Sequence, residues 1–174
     1  SPPPSVNGTS GTATAIAAGW GYSCAIQSGT GAVVCWGSDS HGQSTPPSSV
    51  NGTSGNATAI AAGTIHSCAI QGGTSAVVCW GSNDSGQSTP PPSVNATSGT
   101  ATAIAAGFDH SCAIQSGTDA VICWGGSSYY GQLTPPASVN GTSGGASAIS
   151  ASTFFTLAIA APYADTDADG VLDP

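Results

Sequence analysis

One segment of the chain occurs three times at a spacing of 44 residues, and every copy has two cysteines at the same positions. The first part of each copy reads Ser-Cys-Ala-Ile-Gln, at residues 23–27, 67–71 and 111–115. The second part ends in Cys-Trp-Gly, at residues 35–37, 79–81 and 123–125. A fixed period of about 20–50 residues is typical of solenoids, propellers and repeat arrays. A unit this small needs neighbours to bury its core, so contacts between copies decide the fold.

Short apolar runs bounded by Gly, Pro, Ser and Asn predict β-strands in each copy. The runs follow a constant order, beginning with Ala-Thr-Ala-Ile-Ala-Ala-Gly at residues 13–19, 57–63 and 101–107. No segment is typical of a helix, because apolar residues alternate with a period of two and Gly and Pro recur too often. Three or four strands per repeat is the size of a propeller blade. We therefore predict an all-β fold of tandem propeller-type blades.

A longer motif, Ile-Ala-Ala-Gly-x-x-His-Ser-Cys-Ala-Ile, occurs at residues 60–70 and 104–114. Each Cys-Trp-Gly is followed by Gly-Gln, at Gly42-Gln43, Gly86-Gln87 and Gly131-Gln132. In these motifs the chain resembles the regulator-of-chromosome-condensation repeat, a β-propeller family, over about residues 1–160. The resemblance implies a closed ring of seven blades, whereas this chain has three complete repeats. The first copy departs from the motif with Tyr22 in place of His, and the third has one extra residue between Gly125 and Gly131.

The two ends of the repeat region match different parts of a repeat. Residues 2–11 match the tail of a copy, and residues 146–159 match the head of another, with Leu157 at the cysteine position. This arrangement predicts an open array of blades or a propeller completed by a second chain. An unpaired strand edge is a template for another chain, so we expect head-to-tail association through the N-terminal segment and residues 146–160. A closed monomer is not expected.

The six cysteines fall in register, which favours three bridges within the copies. If residues 28–31 form a turn, Gln27 faces Ala32 and Cys24 faces Cys35 on an antiparallel pair. Directly opposed residues have Cβ atoms about 4.5–5.5 Å apart, near the disulfide range. The same reasoning pairs Cys68 with Cys79 and Cys112 with Cys123. Reduced buried thiols and a metal site are the alternatives, although the ten-residue gap is unlike zinc spacing.

The charge of the chain restricts its partners. It has no Lys or Arg, eight acids that are all Asp, and a formal net charge of −8. Without cationic side chains it cannot neutralise phosphates, so nucleic acid and anionic membranes are not expected partners. The apolar stretch from Phe154 to Pro162 is too short to span a bilayer. Weak body charge and paired cysteines both favour an extracellular, secreted protein.

All six asparagines lie in Asn-x-Ser/Thr sequences, the glycosylation acceptor motif. They are Asn7, Asn51, Asn56, Asn83, Asn95 and Asn140. Glycans would supply the solubility that charge does not. The alternative is that Asn-Gly only forms turns at Asn7, Asn51 and Asn140.

Residues that could support catalysis are few, and we do not expect an enzyme. Lys, Arg and Glu are absent, and the sequences Asp109-His110-Ser111 and Asp39-Ser40-His41 place their polar residues side by side. Adjacent residues do not converge as a catalytic triad requires. His66 and His110 occupy one repeat position, and we expect them to form structural hydrogen bonds.

The last ten residues form an acidic segment distinct from the repeats, so we separate residues 161–174 as a tail from a repeat domain of residues 1–160. Asp165, Asp167, Asp169 and Asp173 lie at positions 1, 3, 5 and 9 of a loop with Gly at position 6. This spacing predicts a calcium site that also uses the Val171 carbonyl. The segment resembles a thrombospondin type 3 calcium repeat over these ten residues. The alternative is a solvated acidic tail.

The three copies differ mainly in two loops, one at residues 20–22 and its equivalents, the other at residues 38–41 and its equivalents. Varied loops that carry Trp20, Phe108, Tyr129 and Tyr130 favour a contact surface over neutral drift. Two functions follow from the sequence. The first is an extracellular structural subunit that polymerises with itself into a fibre or surface layer. The alternative is a secreted binding module, an adhesin or inhibitor, whose loops contact a glycan or another surface ligand.

Overall fold

The structure is a computed structural model that describes residues 1–126 and 128–161. Its regular elements are eleven strands and one short 3-10 helix at Ser128–Tyr130. The strands are β1 (Ala13–Ala18), β2 (Tyr22–Gln27), β3 (Val33–Gly37), β4 (Ala57–Ala62), β5 (His66–Gln71), β6 (Val77–Gly81), β7 (Ala101–Ala106), β8 (His110–Gln115), β9 (Val121–Gly125), β10 (Ala146–Ala151) and β11 (Thr156–Ala160). Each copy of the repeat thus supplies three strands, which confirms the all-β prediction.

The strands form separate small antiparallel sheets, one for each copy. Blade 1 has the strand order β1-β2-β3, blade 2 has β4-β5-β6, and blade 3 has β7-β8-β9. Residues from 146 onwards form a two-stranded sheet, β10-β11, which we call the half-blade. The described residues therefore form an open row of blades, with no closed ring.

The predicted register of the central hairpin is confirmed. Ile26 pairs with Val33, Ala25 with Val34 and Cys24 with Cys35, and the same pairs recur in blades 2 and 3. The Gln27 N–H donates to the Ala32 carbonyl at 2.9 Å, which closes the turn between the two strands. Because this turn has the same length in every copy, the two cysteines always face each other.

Successive blades pack through their first strands. β1 lies beside β4, β4 beside β7, and β7 beside β10, while the middle strand of each blade packs on the first strand of the next. The core between blades 1 and 2 contains Ile26, Val33 and Val50 from one side and Ala69 and Trp80 from the other. The core therefore lies between copies rather than inside one copy, as expected for a repeat that cannot bury its own surface.

The Pro-rich stretch that follows each third strand completes the blade without forming a strand of its own. The Val33 N–H donates to the Val50 carbonyl at 2.9 Å, and equivalent bonds join Val77 to Val94 and Val121 to Val139. Val50, Val94 and Val139 are buried in the three inter-blade cores. Each stretch thus delivers one apolar side chain to the interface with the following blade.

Candidate binding surface

The loops that join the first two strands of each blade lie next to one another along one side of the row. Hydrogen bonds between backbones link them: Trp20 N–H to Thr64 O at 3.3 Å, Thr64 N–H to Gly107 O at 3.3 Å, and Phe108 N–H to Thr153 O at 3.4 Å. Residues at one repeat position are therefore brought into one continuous row.

Glycine begins each of these loops in the three full blades because a buried ring leaves no room for a side chain. A Cβ on Gly63 would lie 2.3 Å from the His66 ring, and one on Gly107 would lie 2.2 Å from the His110 ring. Such distances are far below contact, so the backbone can approach the ring only where Cβ is missing. The varied residues that follow each glycine are thus held on a fixed support.

The rings beneath the loops form a chain of polar contacts from blade to blade. The Tyr22 hydroxyl donates to the His66 carbonyl, and Ser67 Oγ donates to the Tyr22 hydroxyl at 2.9 Å. His66 Nε2 lies 2.9 Å from Ser111 Oγ, and His110 Nε2 lies 3.0 Å from Thr156 Oγ1. The expectation that both histidines form structural hydrogen bonds is confirmed.

Burial keeps these rings uncharged. It raises the pKa of Tyr22 to about 12, against a smaller opposing effect of the hydrogen bond from Ser67. Burial lowers the pKa of His66 to about 4, with the nearby His110 as a second cause, and it also lowers the pKa of His110. At neutral pH the chain of contacts therefore consists of neutral groups, which suits packing between blades.

Five aromatic side chains above this support are exposed. The exposed fraction is 76% for Trp20, 46% for Phe108 and 83% for Tyr129, and the other two are Tyr130 and Phe154. Ring centroids are 6.0 Å apart for Phe108 and Phe154, 5.2 Å for Tyr130 and Phe154, and 4.9 Å for Tyr129 and Tyr130. We call Trp20, Ile65, Phe108, Tyr129, Tyr130 and Phe154 the aromatic face.

A hollow of about 590 Å³ lies in the aromatic face between Trp20 and Phe108. Its other lining residues are His41, Thr64, Ile65 and Thr153. His41 belongs to the second varied loop, and Tyr130 of that loop in blade 3 contacts Phe154. The structure thus brings the two varied loops singled out in the sequence to the same side of the molecule.

The buried glutamine of each Gly-Gln pair shapes the second varied loop. Gln43 Oε1 accepts the His41 N–H at 2.8 Å, and Gln87 Oε1 accepts the Ser85 N–H at 2.9 Å. The Gln43 carbonyl also accepts Trp80 Nε1–H at 3.0 Å, and Trp124 donates to Gln87 O in the same way. The sequence motifs gave no indication of this contact between Cys-Trp-Gly and the Gly-Gln of the preceding copy, although both motifs recur in every repeat.

Neither Asp39-Ser40-His41 nor Asp109-His110-Ser111 forms a catalytic triad in the structure. Ser40 Oγ lies 2.9 Å from His41 Nδ1, whereas both Asp39 carboxylate oxygens accept hydrogen bonds from Ser44 and Thr45. The hydrogen bond from Thr45 is the main cause that lowers the pKa of Asp39. In the described part of the chain His110 Nδ1 has no hydrogen-bond partner, so Asp109 does not orient this ring. Neither sequence has the geometry of an acid–base relay.

All six cysteines are joined within their own hairpins, in the pairs Cys24–Cys35, Cys68–Cys79 and Cys112–Cys123. The Cα atoms of the pairs are 4.0–4.1 Å apart. The disulfide prediction is thus supported, and each bridge holds β2, β5 or β8 to the strand that carries the tryptophan.

Four of the six asparagines, one in each Pro-rich stretch, form a turn with their neighbouring residues. Asn51 Nδ2 donates to the Pro46 carbonyl at 3.1 Å, and Asn51 Oδ1 accepts the Thr53 N–H at 3.0 Å. Asn7, Asn95 and Asn140 make the same two contacts. Asn7, Asn51 and Asn140 thus form the turns expected of Asn-Gly, and Asn95, which precedes Ala96, forms one as well. Glycosylation of Asn7, Asn51, Asn56, Asn83, Asn95 and Asn140 stays a prediction, with Asn56 and Asn83 exposed in other loops.

The predicted calcium residues, Asp165, Asp167, Asp169, Val171 and Asp173, lie outside the described residues, as does most of the predicted tail. Within residues 1–126 and 128–161, no group of three or more His, Cys, Asp or Glu could hold a metal ion. The same residues contain no helix long and apolar enough to cross a membrane.

Residues 13–43, which cover blade 1 and its Gly-Gln pair, match the family model described as the regulator of chromosome condensation (RCC1) repeat. The repeat of this chain is of the RCC1 type. No curated protein matches the chain. The expected resemblance in the repeat region is therefore supported, whereas the resemblance of residues 165–174 to a thrombospondin repeat is not shown.

Solved structures similar to this chain include two plant receptor ectodomains. The CRINKLY WD40 ectodomain of the receptor kinase ACR4 from Arabidopsis thaliana is 26% identical, with a TM-score of 0.63, over 87% of this chain and 46% of that one. The ectodomain of the receptor kinase CR4 from Physcomitrella patens is 26% identical, with a TM-score of 0.67, over 86% of this chain and 36% of that one. The chain spans less than half the length of each.

A third similar structure is Prp20p from Saccharomyces cerevisiae, described with its binding to Gsp1p and histones. It is 16% identical, with a TM-score of 0.64, over 90% of this chain and 45% of that one. At this identity the likeness shows the fold alone. Together these structures place the row of blades among propeller folds.

Proposed function

We propose that this chain is an extracellular binding module that contacts its partner through the aromatic face. The observation that carries the proposal is the exposure of Trp20, Phe108 and Tyr129 on loops fixed by a repeated scaffold. Large exposed aromatic side chains tend to associate with other surfaces unless a partner covers them. Loops on a rigid framework are also where binding residues are usually found.

Two observations support an extracellular location. Three disulfides form and persist in oxidising compartments and are rare in the cytosol. The two similar plant structures are ectodomains of receptor kinases. The similarity to these ectodomains also favours the binding-module alternative over the fibre that the sequence first suggested.

Charge narrows the chemistry of the partner. The chain has no cationic side chain to pair with acids, and its formal net charge is −8. Asp39, Asp84 and Asp109 lie in the loops on the side of the aromatic face. Electrostatic complementarity therefore favours a neutral glycan or a surface with Lys and Arg, which can also interact with the exposed aromatic rings.

Calorimetric titration with neutral oligosaccharides, basic peptides and acidic peptides tests the proposal. We expect binding of neutral or basic probes and none of acidic probes, and Trp20→Ala combined with Phe108→Ala should abolish the binding. Ile16→Ala is the control, because Ile16 is as exposed as Trp20 but lies on β1 away from the loops. Unchanged binding by the double variant would contradict the proposal.

Head-to-tail assembly is a second candidate because both outer blades expose apolar side chains. Ile16 on β1 is 79% exposed, and Leu157 on β11 is 63% exposed, whereas buried Cys112 takes the place of Leu157 in blade 3. Light scattering at micromolar concentration tests this candidate. Oligomers of the parent chain that dissociate in the Ile16→Asp variant would support this candidate, and a stable monomer would reject it.

A further inference from the structure

The first two inter-blade cores are each completed by a tryptophan from the later blade. Trp80 packs with Val33 and Val50 of blade 1, and Trp124 packs with Val77 and Val94 of blade 2. Both indoles are 8% exposed. Each Nε1–H donates to the carbonyl of the preceding Gln43 or Gln87 at 3.0 Å. The indole and its hydrogen bond are thus a repeated part of the contact between blades.

The third inter-blade core has the same apolar residues but no tryptophan among the described residues. Val121 and Val139 correspond to the two valines of each earlier core, and they pack with Ala146 of the half-blade. Beside them is a groove of about 320 Å³, bordered by Gly131 and Gln132 on one side and by Thr156 and Ala158 on the other. The groove thus lies where Trp80 and Trp124 sit in the other two interfaces.

The groove runs along a strand edge. β2, β5 and β8 each pair with strands on both sides, whereas β11, their equivalent, pairs with β10 alone within the described residues. Trp36, Trp80 and Trp124 lie opposite Ser23, Ser67 and Ser111 in their hairpins. Thr156 holds the corresponding position on β11, since His110 Nε2 contacts it as His66 Nε2 contacts Ser111. A strand added antiparallel to β11 would therefore place a residue opposite Thr156 directly over the groove.

We propose that the edge of β11 and this groove are a docking site for an extended segment of another polypeptide that carries a tryptophan. The segment adds to the half-blade as a third strand, which is a known mode of peptide recognition. Its indole lies opposite Thr156 and fills the groove above Val121 and Val139. An aliphatic side chain two residues earlier lies opposite Ala158, as Val78 lies opposite Ala69 and Ile122 opposite Ala113.

A folded copy of this chain cannot donate that strand. A strand has two hydrogen-bonding edges. When the indole of the added strand points toward the preceding blade, only one of these two edges can face β11. In β3, β6 and β9 that edge is already paired with β2, β5 and β8. The groove consequently fits a segment that is free or extended before it binds. The groove adjoins the aromatic face, because Tyr130 lines it as well, but the docking site does not depend on the function proposed for that face.

A labelled peptide based on β9 tests the proposal on the whole 174-residue chain. The peptide has the sequence Asp-Ala-Val-Ile-Ser-Trp-Gly-Gly, which is residues 119–126 with Cys123→Ser. We expect saturable binding by fluorescence anisotropy and a loss of affinity of about tenfold or more when the peptide's tryptophan is replaced by alanine, as for a buried aromatic anchor. Binding should also slow hydrogen exchange of the β11 amides.

Two protein variants locate the site. Ala158→Phe fills the groove and should abolish peptide binding. Ile159→Phe is the control, because Ile159 is 65% exposed on the opposite face of the same strand, and it should leave the affinity unchanged. No binding of the first peptide, or equal binding of the tryptophan and alanine peptides, would overturn the proposal without any protein variant. The latter result would show that the strand edge binds peptides without a tryptophan pocket.

Discussion

Tyr22 and its equivalents His66, His110 and Phe155 show how a single repeat position sets the contact between blades. The first three are buried and reach a polar group of the next blade, whereas Phe155 is exposed and borders the open groove. The histidines pack well only when neutral, because a buried imidazolium would lose its hydration. The stability of the row of blades therefore depends on pH through His66 and His110, which occupy the same position in the repeat.

We expect the chain to lose stability as the pH falls from about 6.5 to 4. The folded pKa of His66 is about 4, below its ordinary value of 6.5, so the unfolded state binds the proton first. The stabilisation is complete above pH 6.5, and about 3 kcal/mol of unfolding free energy is lost by pH 4. His110 acts in the same direction.

Urea denaturation at several pH values measures this effect. His66→Tyr, which copies the residue that blade 1 has at this position, should reduce the pH dependence in that window. An unfolding free energy that stays constant between pH 6.5 and 4 would contradict the assignment of a neutral buried histidine.

A second residue-scale prediction concerns Ala96, which has a φ of 69°. The equivalent positions are Gly8, Gly52 and Gly141, with φ between 85° and 91°. Since a left-handed backbone is unfavourable for residues with a Cβ, Ala96→Gly should stabilise the fold by up to about 1 kcal/mol. The reverse change, Gly52→Ala, should destabilise it, because the new Cβ would lie 2.9 Å from the Ala32 Cβ. Thermal unfolding of the two variants should shift in opposite directions.

Among the elements, the hairpin of each blade's second and third strands organises the interface. Its disulfide fixes the third strand, and in blades 2 and 3 that strand carries the indole that packs on the preceding blade. The bridge and the inter-blade core are thus parts of one element. Loss of the bridge should weaken contacts that lie outside the hairpin.

Replacing Cys68 and Cys79 by alanine should lower the unfolding free energy by about 3 kcal/mol, the value for a loop of this length. Denaturant titration of the variant and the parent measures the loss. Non-reducing peptide mapping of the parent should recover three bridges within the hairpins. Free thiols or bridges between blades in that experiment would disprove the pairing.

The whole molecule has two surfaces of different character, an aromatic face on the loops and apolar strand faces on the outer blades. Both arise because the row is open and each blade repeats the same loops. In the interior of the row each blade covers its predecessor, so Ile104 is half-buried whereas Ile16 is largely exposed. The exposed surfaces are therefore set by how the blades are arranged.

The calcium site in the acidic tail stays a prediction. Asp165, Asp167, Asp169 and Asp173 have the spacing of a calcium loop, with the Val171 carbonyl as a further ligand. We expect heat on calorimetric addition of calcium to the intact chain, reduced by Asp167→Asn. An intact chain that gives no heat when calcium is added would contradict the predicted site.

The sequence determined the elements of this protein because the repeat multiplies each local signal. Turn residues and alternation marked the strands, equal loop lengths paired Cys24 with Cys35, and the copied motifs indicated the RCC1-type blade. Such features depend on residues close together in the chain, so spacing alone is enough to predict them. The same comparison of copies identified the two varied loops.

Only the tertiary structure decided how the copies meet. Trp80 reaches the Gln43 carbonyl 37 residues away, and His66 reaches Ser111 at a separation of 45 residues. No local spacing rule predicts such contacts, because they depend on the angle and distance between whole blades. For the same reason the convergence of Trp20, His41 and Phe108 on one hollow, and the open groove beside β11, were visible only once the blades were packed together.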